Sequence, residues 1–331
     1  MVNPLQPTAP QSSRKRTPRM SLASASVSRL PKALQANACF AIVAPAGPAR
    51  LDAEQARLWL AQHGYRCRVF PGVFQAEGYL AGPDEQRLAD LHAAFADPDI
   101  DAILCMRGGY GSMRLLDRLD FDLLRAHPKP LIGYSDITAL HTAIHRHAGF
   151  PTFHGAMLNA DLLGDKQPPT SSSLLQQLSG MLSEGSVIEH PHAFALSCLV
   201  PGVATGRLMG GNLSMLGATL GTCAEVDLEG CILFIEDVNE PLYRVDRLLT
   251  QLRLAGKLGG VKGVLVGDFA GITVTALTPL LRDIFEPLGI PVLAGWRSGH
   301  CDPNVCLPLG AQVTLDSEAL CLTLNQALFA L

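Results

Sequence analysis

Between residues 39 and 149 the apolar residues switch repeatedly from short solid runs to a helical stripe and back. "CFAIVAPAG" (39–47) is an apolar, partly β-branched run closed by proline and glycine, the pattern of a buried strand and turn. "LDAEQARLWLAQHG" puts apolar residues at helical spacing and stops at Gly64. "YRCRVF" alternates and reads as a second strand, "DEQRLADLHAAFADP" as a helix stopped at Pro98, and "IDAILCM" as a third strand. "SMRLLDRL" then reads as a helix, "PLIGYS" as a strand and "DITALHTAIHRHAG" as a helix. Parallel strands need crossover connections, so four such alternations in about 110 residues imply a parallel sheet with helices on both faces. In open sheets of this kind ligands bind beyond the carboxyl ends of the strands. Two of those ends carry unusual sequences: Arg107-Gly108-Gly109-Tyr110-Gly111 and Gly133-Tyr134-Ser135-Asp136.

The pattern divides the chain into four. Residues 37–160 form the α/β domain just described. Residues 161–203 hold Pro168, Pro169, a serine run at 171–173 and "HPHAF", and read as a connection with one short helix near 172–182. Residues 204–331 read as a smaller mixed α/β domain. Its strand "CILFIE" ends at Glu236, and an amphipathic helix "PLYRVDRLLTQLRLAG" follows. "VKGVLVGDF", "ALTPLLRDIFEPLG" and "PVLAGW" read as strand, helix and strand leading to Ser298-Gly299-His300, and "QVTLDSEALCLTL" as a closing hairpin. A chain of 331 residues fits two domains, since one core rarely grows past ~250–300 residues. Residues 1–36 are rich in Ser, Pro, Arg and Ala and lack the apolar stretch of a secretory signal, so they read as a disordered extension.

Composition narrows the partners. Hydrophobic residues make up 48 % and charged residues 17 %, enough to bury a core. A net charge of -4 gives no basic footprint for nucleic acid, and no apolar run reaches the ~18–20 residues that span a bilayer. The nine cysteines are odd in number, form no CxxC and lie mostly in apolar runs, the usage of free thiols in a reducing compartment.

A serine on a sharp strand-to-helix turn can act as a nucleophile, because the turn exposes Oγ and points the next N–H at the substrate oxyanion. Ser135 fits that mechanic, although Ile137 stands where a GxSxG elbow would have glycine. Ser135 or Asp136 can equally be the N-cap of the following helix. The serine needs a base and an acid to orient it. His141 and His145 are four apart, a metal-pair spacing, but no glutamate follows His141 as in HExxH. His190 and His192 lie in the connection. His300 sits just after a strand in a loop bounded by glycine and proline. Glu236 ends an otherwise apolar strand, where it either serves a site or caps the next segment, and Asp237 and Glu240 are close by as alternative acids. Arg107, at the other strand end, suits either pairing with a carboxylate of the fold or recognition of a substrate's terminal carboxylate.

"MRGGYG", "PLIGYSDITAL", "FHGAM", "GGNLSMLGATLGT", "LFIEDVNEPLYRVDRLL", "GVLVGDF" and "GHCDPNVCLPLGA" occur in that order from about residue 38 to the end. Together they resemble the LD-carboxypeptidase family of serine peptidases, which includes microcin-immunity relatives. The resemblance implies an N-terminal three-layer, flavodoxin- or amidotransferase-like parallel-sheet domain carrying the nucleophile, and a smaller mixed α/β domain carrying the acid and base. It implies Ser135, Glu236 and His300 as a catalytic triad, with an oxyanion hole from the backbone N–H groups of Asp136 and Gly109. It further implies release of D-alanine from an L-centre in muropeptide tetrapeptides, in cytoplasmic murein recycling, by a homodimer with no metal or organic cofactor. The immunity branch, which cleaves peptidyl-nucleotides, stacks the base on an aromatic residue of the connecting region. Here that region holds one aromatic residue, Phe194, and the two tryptophans, Trp59 and Trp296, lie elsewhere.

Overall fold

The solid apolar runs become the middle of a sheet. In the computed structural model, which describes residues 30–49, 52–164 and 166–330, the strands are β1 (Cys39–Val43), β2 (Arg66–Val69), β3 (Ala102–Cys105), β4 (Leu131–Gly133) and β5 (Thr152–His154). They pair in parallel in the order β2-β1-β3-β4-β5. β1, β3 and β4 are buried at every position, as strands covered on both faces must be, whereas the edge strand β2 alternates. The connections carry α1 (Ala53–Gln62), α2 (Asp84–Ala96), α3 (Phe121–Ala126) and α4 (Thr138–His147). "SMRLLDRL" is a 3-10 segment instead of the expected α-helix. The N–H and hydroxyl of Ser112 are both taken by Asp136, and Gly111 offers no side-chain cap. The α-helix comes one step later, where the Asp120 carboxylate accepts the Leu123 N–H at 2.9 Å.

After α5 (Thr170–Leu178) a second sheet is built from β6 (Ser197–Val200), β7 (Val203–Asn212), β8 (Cys231–Val238), β9 (Gly263–Ala270) and β10 (Val292–Ala294). β11 (Leu307–Leu309) follows, then the hairpin of β12 (Gln312–Asp316) and β13 (Cys321–Leu324). The order is β13-β12-β7-β8-β9-β10-β6, parallel from β7 to β10 and antiparallel at both edges. Helices α6 (Leu213–Ala218), α7 (Leu242–Leu254) and α8 (Val274–Phe285) cover it. α7 buries Val245, Leu249 and Leu252, four and three apart, as an amphipathic helix should.

Two strands depart from the sequence partition. β6 comes from the connecting stretch yet forms an edge of the second sheet, and β11 comes from the C-terminal part yet pairs with β5 in the first. The two sheets share one core, in which Phe40, Ile132 and Phe153 of the first pack with Leu208, Phe234 and Leu265 of the second. The proposed extension 1–36 lies mostly outside the described residues. Its end, 30–36, is part of the fold: Leu34 is buried, its N–H donates to Leu178 at 2.9 Å, and Lys32 bridges to Ala330. All nine cysteines are free; Cys223 is exposed. Among the described residues no helix is long and apolar enough to cross a membrane.

Candidate active site

β4 delivers Ser135 into a 3-10 turn, Ser135–Ile137, from which α4 continues. Ser135 has φ of +63°, the left-handed region that a non-glycine residue enters at a cost of ~1–3 kcal/mol. Such strain persists only where surroundings enforce it, and here Asp136 does so. Its buried carboxylate accepts the Ser112 N–H at 2.8 Å, and the Ser112 hydroxyl donates to the Asp136 carbonyl at 2.6 Å. Burial pushes the Asp136 carboxyl upward, against the lowering pull of Ser112, the Gly111 N–H and Arg87. The turn is thereby clamped to the glycine-rich loop after β3. Neither Ser135 nor Asp136 caps α4, whose N-cap is Ile137.

That loop passes close to the serine. A methyl group at Gly108 would lie 2.9 Å from Ser135 Cβ, 3.1 Å from Ser135 Oγ and 3.4 Å from the Asp136 nitrogen. Gly109, with φ of +110°, lies one residue further along, against Gly47. Of the two glycines, Gly108 is therefore the one that faces the nucleophile with no room for a side chain. The RGGYG motif contained it, but two adjacent glycines cannot be told apart without the backbone.

The second sheet supplies the partners. Glu236 is fully buried near the carboxyl end of β8, and His300 follows β10. A carboxylate only accepts, so His300 Nδ1–H donates to Glu236 Oε2, at 2.7 Å, leaving Nε2 to accept the Ser135 hydroxyl at 3.1 Å. The His300 backbone N–H also reaches Glu236 Oε2, at 3.3 Å. This close approach requires Gly299 (φ +110°), where a methyl group would meet Glu236 Oε2 at 2.4 Å. Burial pushes the Glu236 carboxyl upward, and the hydrogen bond and charge of His300 pull it back. At His300 burial disfavours the proton, but Glu236, with Asp237 and Asp161 behind it, outweighs burial and holds the imidazole above its ordinary value. Asp237 faces elsewhere, accepting from Asn212 Nδ2 at 3.0 Å and the Ser214 hydroxyl at 2.8 Å, and Glu240 pairs with Arg244 at 3.4 Å. Of the three acids, Glu236 meets the histidine.

Two residues at the site escaped sequence reasoning. Tyr134 packs its ring edge-on against His300, with centroids 4.9 Å apart, and its hydroxyl donates to buried Asp161 at 3.2 Å. Tyr134 sat unremarked inside GYSD, and Asp161 lay at the start of the irregular stretch, where no pattern marked it.

A serine, an imidazole and a carboxylate in this order, beside a bare glycine backbone, can perform acyl transfer. Residues 40–155 match the model of the LD-carboxypeptidase N-terminal domain, and residues 205–315 that of the LD-carboxypeptidase C-terminal domain. The chain belongs to the LD-carboxypeptidase family. It is 42 % identical over 297 residues to a probable murein peptide carboxypeptidase of Bacillus subtilis (strain 168), covering 87 % of this chain and 91 % of that one. Among solved structures it resembles the muramoyltetrapeptide carboxypeptidase of Oxalobacter formigenes, with a TM-score of 0.74 and 30 % identity, covering 88 % of this chain and all of the other. It also resembles an MccF-like protein of Bacillus anthracis str. Ames, with a TM-score of 0.83 and 27 % identity, covering 90 % and 99 %.

Other features singled out in the sequence lie in structural settings of their own. His141 Nε2 lies 2.9 Å from the Gly133 carbonyl and His145 Nε2 3.1 Å from Arg207, and burial pushes each imidazole down to about 4. Trp296 is buried. Phe194 carries the Arg297 guanidinium 4.5 Å over its ring, so that ring face is already occupied. Arg107 has no carboxylate of the described residues within 4 Å; its Nη1 donates to the Pro48 carbonyl at 3.1 Å.

Proposed function

We propose that this protein is a serine LD-carboxypeptidase that releases the terminal D-alanine from muropeptide tetrapeptides of the type L-Ala–γ-D-Glu–diaminopimelate–D-Ala. His300 Nε2 takes the Ser135 proton as Oγ adds to the carbonyl carbon of the L-configured residue. The N–H groups of Asp136 and Gly109 hold the oxyanion. Glu236 fixes the imidazole tautomer and stabilises the imidazolium. The imidazolium then protonates the departing amine and D-alanine leaves. Water, deprotonated by the same imidazole, frees the tripeptide from Ser135.

The observation that carries this reading is the unbroken hydrogen-bonded series Ser135–His300–Glu236, at 3.1 and 2.7 Å, in a chain related to murein peptide carboxypeptidases. Murein recycling in the cytoplasm and a homodimeric state follow from the family resemblance and belong to the same proposal. Mass spectrometry of the tetrapeptide incubated with the protein tests it: one D-alanine should be lost, and an unchanged tetrapeptide would refute it. The higher TM-score of the MccF-like structure favours, as a second reading, an immunity-type hydrolase that cleaves peptidyl-nucleotides. Arg297 over Phe194 opposes that reading, because it covers one face of the aromatic residue available in the connection for stacking a base.

A further inference from the structure

A serine cleft acts as a carboxypeptidase when it recognises the free carboxylate of the departing residue. That carboxylate is one residue beyond the scissile carbonyl, about 3.5 Å along the chain, so its partner must lie near the nucleophile. Most cations around the site are already matched with an anion. Arg87 is buried and paired with Asp84, and it also donates to the Gly111 carbonyl at 2.9 Å. Arg297 donates to Asp268 at 2.7 Å. Lys166 donates to the Cys301 carbonyl at 2.9 Å and stands 3.8 Å from Asp161.

Arg107 differs. It lies two residues beyond the end of β3, immediately before Gly108, whose missing side chain would collide with Ser135. Its guanidinium folds back along the loop: Nη2 would lie 3.9 Å from a methyl group at Gly109, and Nη1 is tied to the Pro48 carbonyl. The side chain is exposed and its charge is matched by no carboxylate of the described residues. A permanently charged fork is thus held beside the candidate oxyanion glycine with N–H groups to spare. Of the two roles open to Arg107 in the sequence, pairing within the fold is the one that lacks a partner.

We infer that Arg107 binds the terminal carboxylate of the substrate and so sets the specificity of the site for a chain end. The inference rests on the carboxypeptidase function proposed above. The test is steady-state kinetics on the tetrapeptide and its C-terminal amide, with wild type, Arg107→Met and Arg107→Lys. The amide cannot use the guanidinium's charge pairing and is the internal control. Wild type should favour the free acid by about tenfold to a hundredfold in kcat/KM, the range for losing a charge-assisted hydrogen bond. In Arg107→Met the ratio should fall towards one, with Arg107→Lys between, since an ammonium keeps the charge and loses the bidentate fork. Should the Met variant fail to fold, the Lys variant carries the comparison. A wild-type ratio preserved in folded variants would overturn the role of Arg107, and so would a wild-type ratio of one. Wild type that cleaves neither peptide would instead overturn the proposed function, so the two failures are distinguishable.

Discussion

Replacing Gly108 by alanine isolates the contact between the glycine-rich loop and the nucleophile. Gly108 is not among the residues with positive φ, so alanine meets no backbone penalty there. What it meets is Ser135: the new methyl carbon would lie 2.9 Å from Ser135 Cβ, against an ordinary carbon–carbon contact of about 3.5–4.0 Å. Something must move by roughly 0.6–1 Å. Ser135 resists, because its strained turn is clamped through Asp136 to Ser112, while the neighbouring Gly109 and Tyr110 are exposed and can yield. The stability cost should therefore be at the low end of overpacking, about 1 kcal/mol. The catalytic cost should be larger, since a misplacement of about 1 Å at a reacting centre costs on the order of a hundredfold. Both are measurable on one preparation, by kcat/KM on the tetrapeptide and by denaturant unfolding. A folded Gly108→Ala protein with wild-type kcat/KM would refute the placement of Gly108 against the reacting serine.

Glu236→Gln should lower turnover and also shift its pH dependence. His300 must be neutral to accept a proton, so kcat/KM rises with pH through the imidazole's value, which Glu236 holds above the ordinary one. Without that charge, burial dominates and the acid limb should move to lower pH; a rate–pH profile displaced upward or not at all would contradict this assignment. Activity should survive EDTA and gain nothing from added zinc, since among the described residues no three His, Cys, Asp or Glu side chains are grouped to hold a metal. Loss on chelation with recovery on zinc would reopen the question of a metal site.

How much of this was legible depended on whether the signal was local. β1, β3 and the first five residues of β8 are solid apolar runs, and such runs have few alternatives to a covered strand. The triad residues sat in ordered motifs, but Glu236 and His300, 64 residues apart, meet only through the order of the second sheet, and Ser135 reaches His300, 165 residues away, only through how the two sheets pack. β5 (Thr-Phe-His) and β6 (Ser-Cys-Leu-Val) are short and mix polar with apolar residues, so no apolar run marks them. "SMRLLDRL" looked helical because its apolar spacing is helical, yet Asp136 takes Ser112 for the nucleophile turn. The left-handed φ of Ser135 left no trace without the second glycine of a GxSxG elbow, whose place Ile137 takes.

The most direct measurement is intact-mass and peptide mapping of the enzyme quenched during turnover of the tetrapeptide, for wild type and Ser135→Ala. Ser135 is expected to carry the tripeptide as an ester while D-alanine appears in solution. The alanine variant, folded because the lost hydroxyl's contact is with His300, should show neither adduct nor D-alanine. D-alanine release at the wild-type rate by Ser135→Ala, or an adduct mapped to another residue, would contradict the mechanism.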